Sequence, residues 1–290
     1  MNDIRNIKKQ LSDFKNRHKG ETIYVIGSSP SLNNLSSKEI SFLKDKVTIG
    51  VNFSIEGINH LKYLICAHIA PAIYSYEYHN TGKTTFFVQN GGLRSEAFSY
   101  LKDFWSDKNI VSFVSSPPKI PLKIMDNSNE IQGSTSILLQ ATHLAYFMGA
   151  KKIVYVGFDE TTKEYFWSYN SELEKKIANN IDKILLSKKY FVDNKFYKND
   201  PWNRCHNVHK EFEFILGRLP GVPPCHFFLT EDERKKDYWG SSWTAPKEEN
   251  IKNFRMYNFF LHKKGIRTYT RSKNGITTLS GCRNISTVIE

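Results

Sequence analysis

The 290-residue sequence predicts an α/β fold: a Rossmann-like parallel sheet with helices on both faces and an inserted lid region. Three observations predict it. Short runs that are apolar on both faces recur along the chain, as strands covered on both sides require. Two helices with an apolar stripe each end at a glycine and pass within a few residues into such a run. Small polar residues follow several runs, at the edge where open α/β sheets hold their ligands.

Taken in order, residues 1–20 are polar and Lys-rich and predict a lead-in helix ending at Gly20. Strands are expected at Thr22–Ile26, Val47–Val51, Tyr63–Cys66, Thr85–Val88 and Ile110–Val114. The strongest helix runs from Ser134 to Met148, where Ile137, Leu138, Ala141, Leu144, Ala145 and Met148 recur at helical spacing before Gly149. A strand at Ile153–Val156 follows. A second helix, Glu249 to Lys264, ends at Gly265 and leads into a strand at Ile266–Tyr269. Residues 21–159 and 247–290 are therefore expected to form one Rossmann-like domain. The stretch 160–246, with an aromatic cluster, a charged helix around Glu172–Lys189 and loops rich in Pro, Trp and His, reads as an insertion over the sheet's carboxyl edge.

Composition narrows the class. At 40% hydrophobic and 24% charged residues the chain is suited to a folded domain, which sets disorder aside. A net charge of +12 favours a polyanionic partner: nucleic acid, a phospholipid surface or a phosphorylated substrate. The basic residues are dispersed, which disfavours a polybasic membrane anchor. No apolar run approaches a membrane span, and the start lacks a signal-peptide core. Four cysteines without CxxC spacing suit a reducing cytoplasm, the expected location.

The chemistry-bearing residues cluster in a few segments. Gly27-Ser28-Ser29-Pro30-Ser31-Leu32 follows the first strand; Gly27 lets the chain turn, and the free N–H groups of the turn are expected to face an anion. Asn52 closes the second strand. Gly133-Ser134-Thr135-Ser136 opens the strongest helix, a second start with hydroxyl donors. Asp159 follows Val156-Gly157-Phe158. His68 ends the third strand, where it would serve as a base near neutral pH or as a hydrogen-bonded structural histidine.

Together these segments, with Leu144-Ala145 and Met148-Gly149-Ala150-Lys151-Lys152-Ile153, resemble two related groups. One is the bacterial lipooligosaccharide sialyltransferases. The other contains motility-associated flagellin glycosyltransferases and the archaeal 6-hydroxymethylpterin pyrophosphokinase. The resemblance spans roughly residues 22–160 and, more loosely, 249–275. It implies a glycosyltransferase whose CMP- or UDP-linked sugar donor is a substrate, with no resident cofactor; the sequence has no Asp-x-Asp pair, which argues for a metal-independent site. The resemblance further implies donor-binding roles for Gly27, Ser28, Pro30, Ser31, Asn52, Gly133, Ser134 and Thr135. Tyr165 and Tyr169 match the lid tyrosines that grip donor phosphate, and His68 and Asp159 are the candidate bases.

Two departures stand out. The stretch Tyr238–Ala245 lacks the histidine that the sialyltransferases carry before their last helix, and Ala67-His68 stands where relatives have Asp or Asn. The donor sugar is thus open. For the acceptor, the dispersed basicity and a Lys-, Asn- and aromatic-rich style like that of large-phage proteins favour modified DNA, such as a hydroxymethylated pyrimidine. A cell-surface glycan or flagellin comes next. The rival readings are a pterin-type pyrophosphokinase, disfavoured by the missing carboxylate pair, and a non-catalytic nucleotide or nucleic-acid binder. Asn80–Thr85 imitates a P-loop but has Glu77 in place of its first glycine. Cys205, His206, His209, Cys225 and His226 make an awkward zinc set, because Cys225 and His226 are adjacent.

Overall fold

In the computed structural model, the residues described are 9–79, 82–89, 107, 109–117, 130–133, 136–159, 170–187, 247–272 and 275–289. Nine parallel strands form one sheet: β1 (Thr22–Ile26), β2 (Val47–Val51), β3 (Tyr63–Cys66), β4 (Thr85–Gln89), β5 (Ile110–Ser116), β6 (Glu130–Gln132), β7 (Lys152–Val156), β8 (Arg267–Thr270) and β9 (Arg283–Asn284). Their order is β6-β5-β4-β3-β2-β1-β7-β8-β9. The chain steps outward from β1 to β6, then returns to the other side of β1 as β7. The order therefore reverses at the β1–β7 pair, where Ile23 to Ile26 register with Ile153 to Val156. Open α/β sheets bind ligands beyond the carboxyl ends of such a pair.

Alternation sends successive side chains to opposite faces, and both faces are buried. Ile23, Val25, Ile49, Ile153 and Tyr155 pack with α3 (Ile137–Phe147) and α5 (Lys247–Lys263). Tyr24, Ile26, Leu64, Val154 and Val156 pack against α2 (Ile69–His79) and α4 (Ser171–Leu186). Helix α1 (Ser37–Leu43) opens with a capping box between Ser36 and Glu39, and a short α6 (Ile276–Leu279) precedes β9. The α/β Rossmann-like reading of the sequence holds on both counts, parallel strands and helices on two faces.

Several local readings change. Of the expected lead-in helix, residues 1–8 lie outside the described residues, and within residues 9–20 the chain forms a 3-10 turn, Leu11–Phe14, followed by turns at 15–20. The cause is a better use for its amides. Asn16, His18 and Gly20 donate to the carbonyls of Phe147, Met148 and Gly149, which the end of α3 leaves unpaired. Helix α3 begins at Ile137 rather than Ser134. Strands β6 and β9, three and two residues long, are too short to show periodicity.

Helix α4 lies within the stretch expected to form a lid, yet Ile177, Ala178, Ile181 and Ile184 are buried in the same core as β1 and β7. This helix is a layer on the sheet's face, where its apolar stripe finds a covered surface. The remainder of 160–246, including the zinc candidates Cys205, His206, His209, Cys225 and His226, lies outside the described residues.

Candidate functional site

Four neighbouring strands, β3-β2-β1-β7, carry His68, Asn52, the Gly27–Ser31 turn and Asp159 at their carboxyl ends. In sequence these residues lie far apart, Ser31 and Asp159 by 128 positions; parallel pairing sets them side by side. Gly133 is on the same edge at the end of β6, five inter-strand steps of about 4.8 Å from β1. The two glycine turns thus share an edge without being neighbours along it. Ser134, Thr135, Tyr165 and Tyr169 lie outside the described residues.

The turn after β1 differs from the expected open anion cradle. Gly27 N–H donates to the Val156 carbonyl at 2.7 Å and Ser29 N–H to the Gly157 carbonyl at 3.1 Å. Ser31 N–H donates to Oδ2 of Asp159 at 3.0 Å, so a carboxylate of the protein already occupies the anion position. Pro30 supplies no donor and serves as the first residue of the 3-10 turn Pro30–Asn34. Ser28 is half-buried beside it. Glycine at position 27 is demanded by closeness: a Cβ there would meet the Gly157 oxygen at 2.0 Å. Gly133 has φ +119 and lies against the first turn of α3, where a Cβ would meet Gln140 N at 2.7 Å.

The side chains on this edge tell a different story from the backbone. Ser31 Oγ and Asn52 Oδ1 are buried with no hydrogen-bond partner. So are Ser116 Oγ, Gln132 Oε1 and Gln140 Oε1, at the ends of β5 and β6 and in the first turn of α3. A buried polar atom left unpaired costs about 1–3 kcal/mol, so each of these oxygens is a place where water or a ligand atom can bond. Asn52 also has φ 47, a left-handed backbone that asparagine tolerates better than most residues. Local strain of this kind collects at ligand sites.

The β4–β5–β6 end is organised by α3. Gln140 Nε2 donates to Gln89 Oε1 at 3.1 Å and to Ser115 Oγ at 3.0 Å. His143 Nδ1 accepts from Gln132 N–H at 2.8 Å. Sequence reading missed Gln132, Gln140 and Ser116. The available signal was Gln140 itself, an amide standing between Leu139 and Ala141 on a helix that is apolar nearly all round.

Beneath Asn52 lies a second missed group. The 3-10 turn Asn52–Glu56 ends in a carboxylate with no solvent exposure. Glu56 Oε1 accepts from Tyr74 OH and pairs with His79 Nε2 at 2.7 Å, while Oε2 pairs with Lys176 Nζ at 2.8 Å. Burial alone would raise its pKa; the bonds from His79, Lys176 and Tyr74 outweigh that and hold it down at about 2. Burial, then the neighbouring Glu56 charge, pushes the Tyr74 phenol well above its ordinary range.

No protein-family model matches the chain, and no curated protein matches it. Among solved structures, it is similar to the sialyltransferase CST-II in complex with a trisaccharide acceptor and CMP. That likeness has 12% identity and a TM-score of 0.30, covering 82% of this chain and 100% of the other. So loose a superposition leaves the fold resting on the strand order and register. Among the described residues, no helix is long and apolar enough to cross a membrane.

Proposed function

We propose that the chain is a glycosyltransferase that binds a nucleotide-activated sugar along the carboxyl edge of its sheet and transfers the sugar to a hydroxyl acceptor. One observation carries the reading: among the described residues, buried side-chain oxygens without hydrogen-bond partners, amide acceptors at Asn52, Gln132 and Gln140 and hydroxyls at Ser31 and Ser116, are spread along the carboxyl edge at β1, β2, β5 and β6. The amide oxygens suit the hydroxyls of a sugar and the N–H groups of a base, and the serine hydroxyls can either accept from such groups or donate to a phosphate. The sequence resemblance supplies the reaction class. In the reaction, the acceptor oxygen forms a bond to the anomeric carbon as the bond from that carbon to the nucleotide phosphate oxygen breaks. The acceptor proton passes to a base. The candidate bases are His68, half-buried at the end of β3, and Asp159, one oxygen of which accepts from Ser31.

The test is a thermal-shift screen of CMP-, UDP- and GDP-sugars beside ATP with Mg²⁺. Stabilisation by one sugar nucleotide supports transfer; a response to ATP with Mg²⁺ alone shifts the assignment to a pyrophosphokinase, and silence throughout removes it. For the acceptor, the charge of +12 favours a polyanion, with hydroxymethylated DNA ahead of a surface glycan or flagellin. Binding to duplex DNA that does not weaken as salt rises would remove the DNA version.

A further inference from the structure

Helix α4 reaches the Asn52 turn by two routes. Directly, Lys176 Nζ pairs with Glu56 Oε2 at 2.8 Å. Indirectly, Asn180 Nδ2 donates to Tyr74 OH at 3.3 Å, and Tyr74 donates in turn to Glu56. Tyr78 OH also donates to the Asn180 carbonyl at 2.9 Å, which pins α4 to α2. Glu56 is therefore bonded to α2 through Tyr74 and His79, and to α4 through Lys176.

The position of this carboxylate in the chain matters. It ends the five-residue turn that begins at Asn52, and α2 begins at Ile69, immediately after His68. Both ligand-edge residues lead into elements that share an apolar core and, within it, the Glu56 carboxylate as a common hydrogen-bond partner. A fully buried carboxylate is tolerated only while its charge is met, so the junction favours having every partner in place. Apolar packing of Phe53, Ile55, Ile73 and Ile177 already joins these elements; the carboxylate adds a condition that such packing lacks.

We propose that Glu56 is a positioning residue through which the docking of α4 fixes the strained turn at Asn52, so that the segment following β7 governs readiness of the ligand edge. The effect on ligand rests on the donor-binding reading above; the mechanical coupling does not.

Lys176→Met is the decisive variant, because Lys176 is 53% exposed and its loss leaves the core intact. Hydrogen exchange at residues 52–58 and 171–186 would be measured in the ligand-free protein, alongside affinity for CMP and for UDP. The expected result is exchange about tenfold faster in both segments and nucleotide binding weakened by a similar factor, with both restored in Lys176→Arg. Faster exchange confined to 171–186, with 52–58 at the wild-type rate, overturns the proposal. Unchanged affinity despite faster exchange at 52–58 overturns its link to the ligand edge. Should the unaltered protein bind neither CMP nor UDP, the donor reading fails by itself, and the exchange comparison still decides the coupling.

Discussion

Asp159 Oδ2 accepts the Ser31 amide proton at 3.0 Å, joining the end of β7 to the turn after β1 across 128 positions of sequence. This bond closes the point where the strand order reverses, and it gives Asp159 a structural task beside any chemical one. Removing the acceptor in Asp159→Ala is expected to lower unfolding free energy by about 1–3 kcal/mol, while Asp159→Asn, which keeps an oxygen in place, costs clearly less. Urea melts of the two variants distinguish them. Equal melts would mean the bond contributes nothing.

Asn52 separates backbone strain from ligand contact. Glycine is at ease at φ 47, so Asn52→Gly is expected to melt at or slightly above the parent temperature. It loses the buried Oδ1, and affinity for CMP or UDP should fall by about tenfold, the loss of one good hydrogen bond. Calorimetry and titration on the same sample check both halves. An affinity equal to the parent's would take Asn52 out of the site.

Acid stability follows from two glutamates. Glu56 and Glu39 are each lowered from 4.5 to about 2. For Glu39, burial opposes the shift, and hydrogen bonds from Ser36, Val288 and Arg271 outweigh it. A depressed folded-state pKa gives stability that is fully present above the unfolded value and lost as pH falls toward the folded one. Stability should therefore drop between about pH 4.5 and pH 2, with about two protons taken up on unfolding near pH 3. In Glu56→Gln the slope across that window should be shallower. A pH series of denaturant melts reads it directly.

Gly27 and Gly20 make a matched pair. At Gly27 an added methyl collides with the Gly157 carbonyl, where neither backbone can yield, so Gly27→Ala should cost about 3 kcal/mol. Gly20 has φ +83 and open space around it, so alanine there pays only for its backbone conformation, about 1 kcal/mol. Parallel thermal melts that rank the two the other way would show that the β1–β7 contact is looser than described.

What the sequence determined by itself was the pattern that local physics writes directly. Runs apolar on both faces gave seven of the strands, helical spacing gave α3 and α5, and glycines with positive φ at 149 and 265 stop those helices as their positions foretell. It also marked Asn52, His68 and Asp159, because short polar residues closing apolar strands are conspicuous. Tertiary structure alone decided the rest. Whether the Ser31 amide faces solvent or a carboxylate depends on a residue 128 positions away, and the reason for Gly27 is a neighbouring strand that no local window contains. Gln132, Gln140 and Glu56 gained their meaning only when folding buried them, since a polar group becomes costly once water is gone and its partner is distant or missing.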